Sequence, residues 1–152
     1  MIRVVLTVII AVALLAASLP ALETARVTTT TEQLEAEGDR IERAVGSTVS
    51  GSMAVDSRSL AARTGITVRA PAGFTAASID RLALVTIEQS TTVLRYQITG
   101  GAERSIPVVP STLTVPVTVV GGSIELRPNG ETRLECRFID DDGPTVEIAR
   151  TG

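Results

Sequence analysis

The sequence predicts an α+β protein, in which a long N-terminal transmembrane-plus-stalk helix leads into an antiparallel β-sheet or small β-sandwich head. Three observations carry that expectation. Residues 4 to 22 hold no charge, and residues 23 to 49 place a narrow stripe at heptad spacing. From about residue 65, short runs rich in Val, Ile and Thr alternate with turn signals. The 152 residues therefore divide into a cytoplasmic N-terminus (1–3), a transmembrane helix (4–22), an amphipathic stalk (23–49), a linker (50–64) and an extracytoplasmic β domain (65–152).

The apolar run from Val4 to Leu22 is 19 residues long, between Arg3 and Glu23. At a helical rise of 1.5 Å per residue it reaches about 28 Å, close to the thickness of a bilayer's hydrocarbon core. Arg3 and the N-terminal amine are the only positive charges before it, which places the N-terminus in the cytoplasm and the remainder outside. The alternative is a cleaved secretory signal, with residues 4 to 15 as its core and Ala16-Ala17-Ser18 or Leu19-Pro20-Ala21 as the cleavage site. The length of the run and the helix-forming residues after it favour an intact anchor, and the only cysteine, Cys136, is too far along to carry a lipid anchor.

In the stalk, Val27, Leu34, Ile41 and Thr48 recur every seven residues, with Thr30 or Thr31, Gly38 and Val45 between them. Val27, Leu34, Ile41 and Val45 are the expected helix-packing face. The stripe is too narrow for a free-standing bundle, so it packs on the head, on a neighbouring subunit or on a copy of itself. Glu23 with Arg26, Glu37 with Arg40 and Asp39 with Arg43 have the spacing of helical ion pairs. Thr28 to Thr31 weaken the helix through their branched Cβ atoms and need tertiary contact to compensate; O-glycosylation is the functional alternative for this run. Gly46 and Gly51-Ser52 mark its end.

Residues 1 to about 48 resemble the N-terminal half of a type IV pilin or pseudopilin. The likeness is closest in the small-residue run, Pro20-Ala21, and the exit through Glu23 and Arg26. It implies that residues 4 to 22 anchor and polymerise, that positions 27, 34, 41 and 45 meet neighbouring subunits, and that a membrane assembly platform with its ATPase is a partner. The chain departs from the pattern in opening its apolar run at the fourth residue and in having no glutamate near the start of that run. This fits either a start upstream of Met1 or an unprocessed component that stays in the membrane. Small membrane proteins of haloarchaea look similar too, in keeping with 14 Arg, no Lys and a net charge of −3.

In the head, residues 66 to 70 alternate before Pro71-Ala72-Gly73, and residues 79 to 89 are apolar on both faces, as in a central strand. Leu94, Tyr96 and Ile98 face away from Arg95 and Gln97 ahead of a Gly100-Gly101 turn. Residues 113 to 120 place Leu113, Val115, Val117 and Val119 on one face, and Pro116 makes this an edge or bulged strand. Residues 123–127 and 131–139 flank Asn129-Gly130 as an expected hairpin, and 144–150 follow in a second one, giving a meander. Seven or eight strands are expected, with Phe74, Tyr96 and Phe138 in or near a thin core.

The missing residue types limit the chemistry. With no His and no Lys, Ser-His, Cys-His and Ser-Lys nucleophile pairs, Schiff bases and His-based metal sites are impossible. An acidic chain with scattered Arg gives no basic stripe for nucleic acid. Cys136, on an inward face between Leu134 and Phe138, reads as a buried core thiol, with an intermolecular bridge or reactive site as the alternative. Asp140 to Asp142 read as a solvated acidic turn, without the alternating ligands of a calcium loop. Arg133, Glu135 and Arg137 point outward toward Glu125, Arg127 and Glu147 as cross-strand charge pairs. A carboxylate-only hydrolase stays formally open, but nothing marks a pair. The expectation is a non-enzymatic, cofactor-free subunit of a pilus or secretion-type assembly on the cell membrane. The alternative is an exported β-sandwich binding module on a plain anchor.

Overall fold

The computed structural model describes residues 2–88 and 91–152. A single helix, α1 (Ile2–Ser50), runs through both the apolar segment and the heptad stripe, with Pro20 inside it. Pro20 lacks the N–H that would continue the ladder, yet the helix runs on through it. Thr24 Oγ1 donates to the Pro20 carbonyl at 2.9 Å, and Thr28 Oγ1 donates to that of Thr24 at 3.0 Å. Of the threonines expected to weaken the helix, Thr28 thus back-bonds onto it. The Gly51 N–H closes the last turn on the Ser47 carbonyl at 3.1 Å.

Among the described residues the head holds eight strands: β1 (Ala62–Arg69), β2 (Ile79–Ile87), β3 (Thr91–Ile98), β4 (Glu103–Pro107), β5 (Val117–Val119), β6 (Ser123–Glu125), β7 (Glu131–Asp140) and β8 (Pro144–Arg150). They form two four-stranded sheets, ordered β1-β7-β8-β5 and β4-β3-β2-β6. Every strand pair is antiparallel except β5 with β8, which is parallel. The doubly apolar run expected over 79–89 is interior in its sheet as β2, and Gln89 lies outside the described residues.

Several expectations need correction. Residues 123–127 and 131–139 do not form a hairpin: β6 pairs with β2 in one sheet, while β7 lies between β1 and β8 in the other. The chain crosses the sandwich at 126–130. The Leu126 N–H bonds to the Leu82 carbonyl at 2.9 Å, and the Arg127 N–H to Thr132 Oγ1 at 3.0 Å. Pro128 offers no N–H for a ladder with β7, and inward-facing Leu126 and Thr132 hold the corner. Of the expected meander only the β7–β8 hairpin remains.

The strand expected over 113–120 shrinks to β5. Its edge position follows from Pro116, as anticipated, but its pairing is parallel. The first strand begins at Ala62, inside the expected linker, and β4 was not anticipated because only Ile106 of its five residues is even partly buried. Tyr96 and Phe138 are core residues, whereas Phe74 is 83% exposed in the β1–β2 loop.

The two open sides of the sandwich are closed differently. On one, β5 is tied to the opposite sheet by two threonines: Thr92 Oγ1 donates to the Val117 carbonyl at 2.7 Å, and Thr86 Oγ1 accepts from the Val119 N–H at 2.8 Å. These side chains stand in for a ladder where none can form. On the other side α1 lies against the edge strands β1 and β4 and against β7. Leu34, Ile41 and Val45 join Leu84, Leu94, Leu134, Val146 and Ile148 in one core. Each such side chain contributes about 1.5–3 kcal/mol on burial, so a helix half expected as a stalk is structurally part of the head.

Candidate functional site

The functional candidates lie along α1, which meets two environments. Its N-terminal half is apolar and wholly exposed: Val4, Val8, Val12, Leu15 and Leu19 each present more than half of their surface. This is the one helix, among the described residues, that is long and apolar enough to cross a membrane. A surface this apolar is unstable in water and calls for lipid or for other apolar helices.

The C-terminal half carries the expected packing face. Leu34, Ile41 and Val45 retain no exposed surface, and Val27 is half-buried against the core. The face that the pilin resemblance assigned to neighbouring subunits is therefore covered by the chain's own head. Gly38 belongs to the same stripe because a Cβ there would come within 2.9 Å of Ile106 Cγ2 on β4. Its missing side chain lets helix and sheet edge approach.

Polar groups fix the register of this seam. Thr30 Oγ1 accepts from the Ala77 N–H at 2.8 Å, and Thr48 Oγ1 donates to Thr64 Oγ1 at 2.7 Å. Between them, Glu37 splits its carboxylate: Oε1 pairs with Arg40 at 2.9 Å, while Oε2 accepts from the Arg69 N–H at 3.3 Å, on the edge of β1. The carboxylate thereby caps a strand edge that would otherwise offer a free donor. Of the other helical pairs, Arg43 bonds to the Asp39 carbonyl at 3.2 Å rather than to its carboxylate, and Arg26 places its guanidinium 4.7 Å from the Phe74 ring centroid. Gly38 was expected in the stripe and Glu37 beside Arg40; their contacts with Ile106 and with the Arg69 N–H were not. The Arg26–Phe74 contact left no local signal.

The remaining candidates are structural in their geometry. Cys136 is fully buried on β7, and loss of solvent together with the neighbouring Glu135 charge pushes its thiol from 9.0 up to about 12. A thiol held protonated in this way is a poor nucleophile. Glu135 pairs with Arg137 and lies 4.0 Å from Arg63, while Glu147 is bound by Arg58 at 2.9 Å. Glu135 on β7 is thus paired within its own strand and with Arg63, and Glu147 on β8 with Arg58, partners that the expected cross-strand scheme did not include. In the β7–β8 turn, Asp140 Oδ1 accepts from the Gly143 N–H at 3.1 Å, and Asp141 lies 3.8 Å from Arg58. Among the described residues, no three acidic or thiol groups converge as a metal site would require.

No curated protein and no solved structure matches the chain. A family model does match it, over residues 1–151. The exposed apolar helix, the seam and the sandwich thus fall within a single family unit, and the chain belongs to the family described as a domain of unknown function (DUF7311).

Proposed function

We propose that this chain is a non-enzymatic, single-pass membrane protein of pilin-like or pseudopilin-like design, a subunit of a type IV pilus or secretion-type assembly in the cell envelope. Residues 4–22 lie in the membrane, Arg3 stays on the cytoplasmic side, and the head stands outside the cell. The observation that carries this reading is the continuity of α1 from its bare apolar half into the core of the head. Side-by-side packing of such helices would set the heads in a fixed array, since no hinge separates the two. The absence of His and Lys from the sequence supports a structural role over a catalytic one.

A second reading, a β-sandwich binding module on a simple anchor, is favoured by one observation: the stripe at 34, 41 and 45 is used up within the chain and leaves no apolar face on the C-terminal half of α1 for neighbours. Disulfide trapping in membranes separates the two. The full chain with both Ala11→Cys and Ala13→Cys, two positions on opposite faces of the exposed helix, is expressed in its native host and oxidised, so that each chain can bridge to two neighbours; Cys136 is too buried to interfere. A ladder of cross-linked species beyond the dimer is the expected result. A chain that stays monomeric overturns the assembly reading in favour of the plain anchor.

A further inference from the structure

The end of the head nearest the anchor carries the chain's one exposed aromatic residue. Tyr96 and Phe138 are buried, but the Phe74 ring stands 83% exposed. Single exposed apolar side chains are ordinary on protein surfaces, so position decides. Phe74 shares a small cleft with Leu22, Ala25, Arg26 and Thr29, and Leu22 is the last residue of the apolar run. The four helical steps from Leu22 to Arg26 rise only about 6 Å, which keeps the ring at the level where a bilayer's hydrocarbon gives way to headgroups. Arg26 lies over that ring at 4.7 Å, and its Nε has no hydrogen-bond partner among the described residues. An aromatic ring and an arginine side by side suit the two components of this layer, acyl carbon below and phosphate above.

We infer that the β1–β2 loop is a second membrane contact, with the Phe74 ring, steadied by Arg26, resting in the headgroup layer at the end of the head nearest the anchor. The inference rests on the reading of residues 4–22 as a membrane span, and its occupant is the same bilayer, reached without a break from Leu22.

The chain has no Trp, so one introduced Trp reports on its own surroundings. Full-length Phe74→Trp and, separately, Leu14→Trp are reconstituted in phosphatidylcholine–phosphatidylglycerol vesicles with and without brominated acyl chains. Both replaced side chains are exposed, so neither substitution disturbs the core. The expected result is a blue-shifted emission and a loss of intensity with brominated lipid for both variants, with bromines near the carbonyl end quenching Phe74→Trp most and deep bromines quenching Leu14→Trp most. Quenching of Leu14→Trp alone, with Phe74→Trp open to aqueous iodide, overturns the second contact and leaves the span intact. Phe74→Trp shielded from iodide yet insensitive to bromine means that protein covers the ring, and this also overturns the inference. If neither Trp responds to bromine, the membrane span itself fails and the second contact falls with it.

Discussion

Residues 4–22 and 27–48 continue one helix but owe their stability to different surroundings. The lower half offers branched and straight aliphatic side chains on every face, all exposed, while the upper half offers a single stripe that the β-sandwich covers, completely at Leu34, Ile41 and Val45 and in part at Val27. A helix apolar all round belongs in lipid, and one apolar on a stripe belongs on a protein surface. The change occurs between Leu22 and Thr30 without any interruption of the backbone. Backbone hydrogen bonding is therefore indifferent to what lies outside the helix, and the side chains alone assign each half its partner.

Matched substitutions test this division. The largest effect is expected from truncation within the buried stripe. Ile41→Ala removes a side chain from the shared core and costs about 2–5 kcal/mol of head stability, whereas Leu14→Ala leaves the unfolding midpoint of the full chain in detergent unchanged. Equal losses at the two positions would break the comparison. Next comes Leu14→Arg, which puts a charge at the centre of the apolar half and weakens membrane insertion by about 2.5–3.5 kcal/mol. Flotation with vesicles reads that loss, and far-UV circular dichroism of the head should not change.

Gly38→Leu sharpens the boundary of the seam, because a Cβ already meets Ile106 at 2.9 Å. Overpacking of this kind costs about 1–3 kcal/mol, and shortening Ile106 to Ala in the same chain should restore part of it, as a double-mutant cycle in urea would report. Arg40→Ala removes a half-exposed partner of Glu37 and is expected to lower stability by only about 0.2–0.5 kcal/mol. Glu37→Gln tests the seam separately, since the Arg69 N–H keeps an acceptor and only the ion pair is lost.

Smallest at neutral pH is the pH dependence that Cys136 contributes. Its folded value of about 12 lies above the ordinary thiol value of 9.0, so the native state holds a proton that the unfolded chain releases in alkali. The stabilisation is complete below about pH 9 and is lost as pH rises toward 12, and a Cys136→Ala chain should not show this part of the alkaline slope. Native protein should also resist iodoacetamide at pH 8 and react once unfolded in urea.

Much of this was legible along the chain. The uncharged run, the heptad stripe, the doubly apolar β2 and the alternation that buries Leu134, Cys136 and Phe138 all follow from local patterning, because burial imposes the period of the element on the sequence. Less was legible where the deciding partner is distant. Asn129-Gly130 has the composition of a hairpin turn, yet β2 claims β6 for the other sheet, and a two-residue turn signal carries no information about a strand some forty positions earlier. Phe74 looked like a core aromatic by type, and only the path of the β1–β2 loop places it outside, against Arg26.

The division between the two levels follows the range of the forces involved. Hydropathy and helical period act on neighbours in sequence, so the sequence by itself determined that α1 would be a helix, where its apolar half would end at Leu22, and which residues of the upper half would face a partner. It left open whether that partner was the head, another subunit or a second copy. The tertiary structure decided for the head, because the edges of β1 and β4 leave a gap that Leu34, Ile41 and Val45 fill, with Gly38 allowing the close approach. Which surfaces find one another depends on shape brought together from residues far apart in the chain, and a periodicity read along the chain cannot contain it.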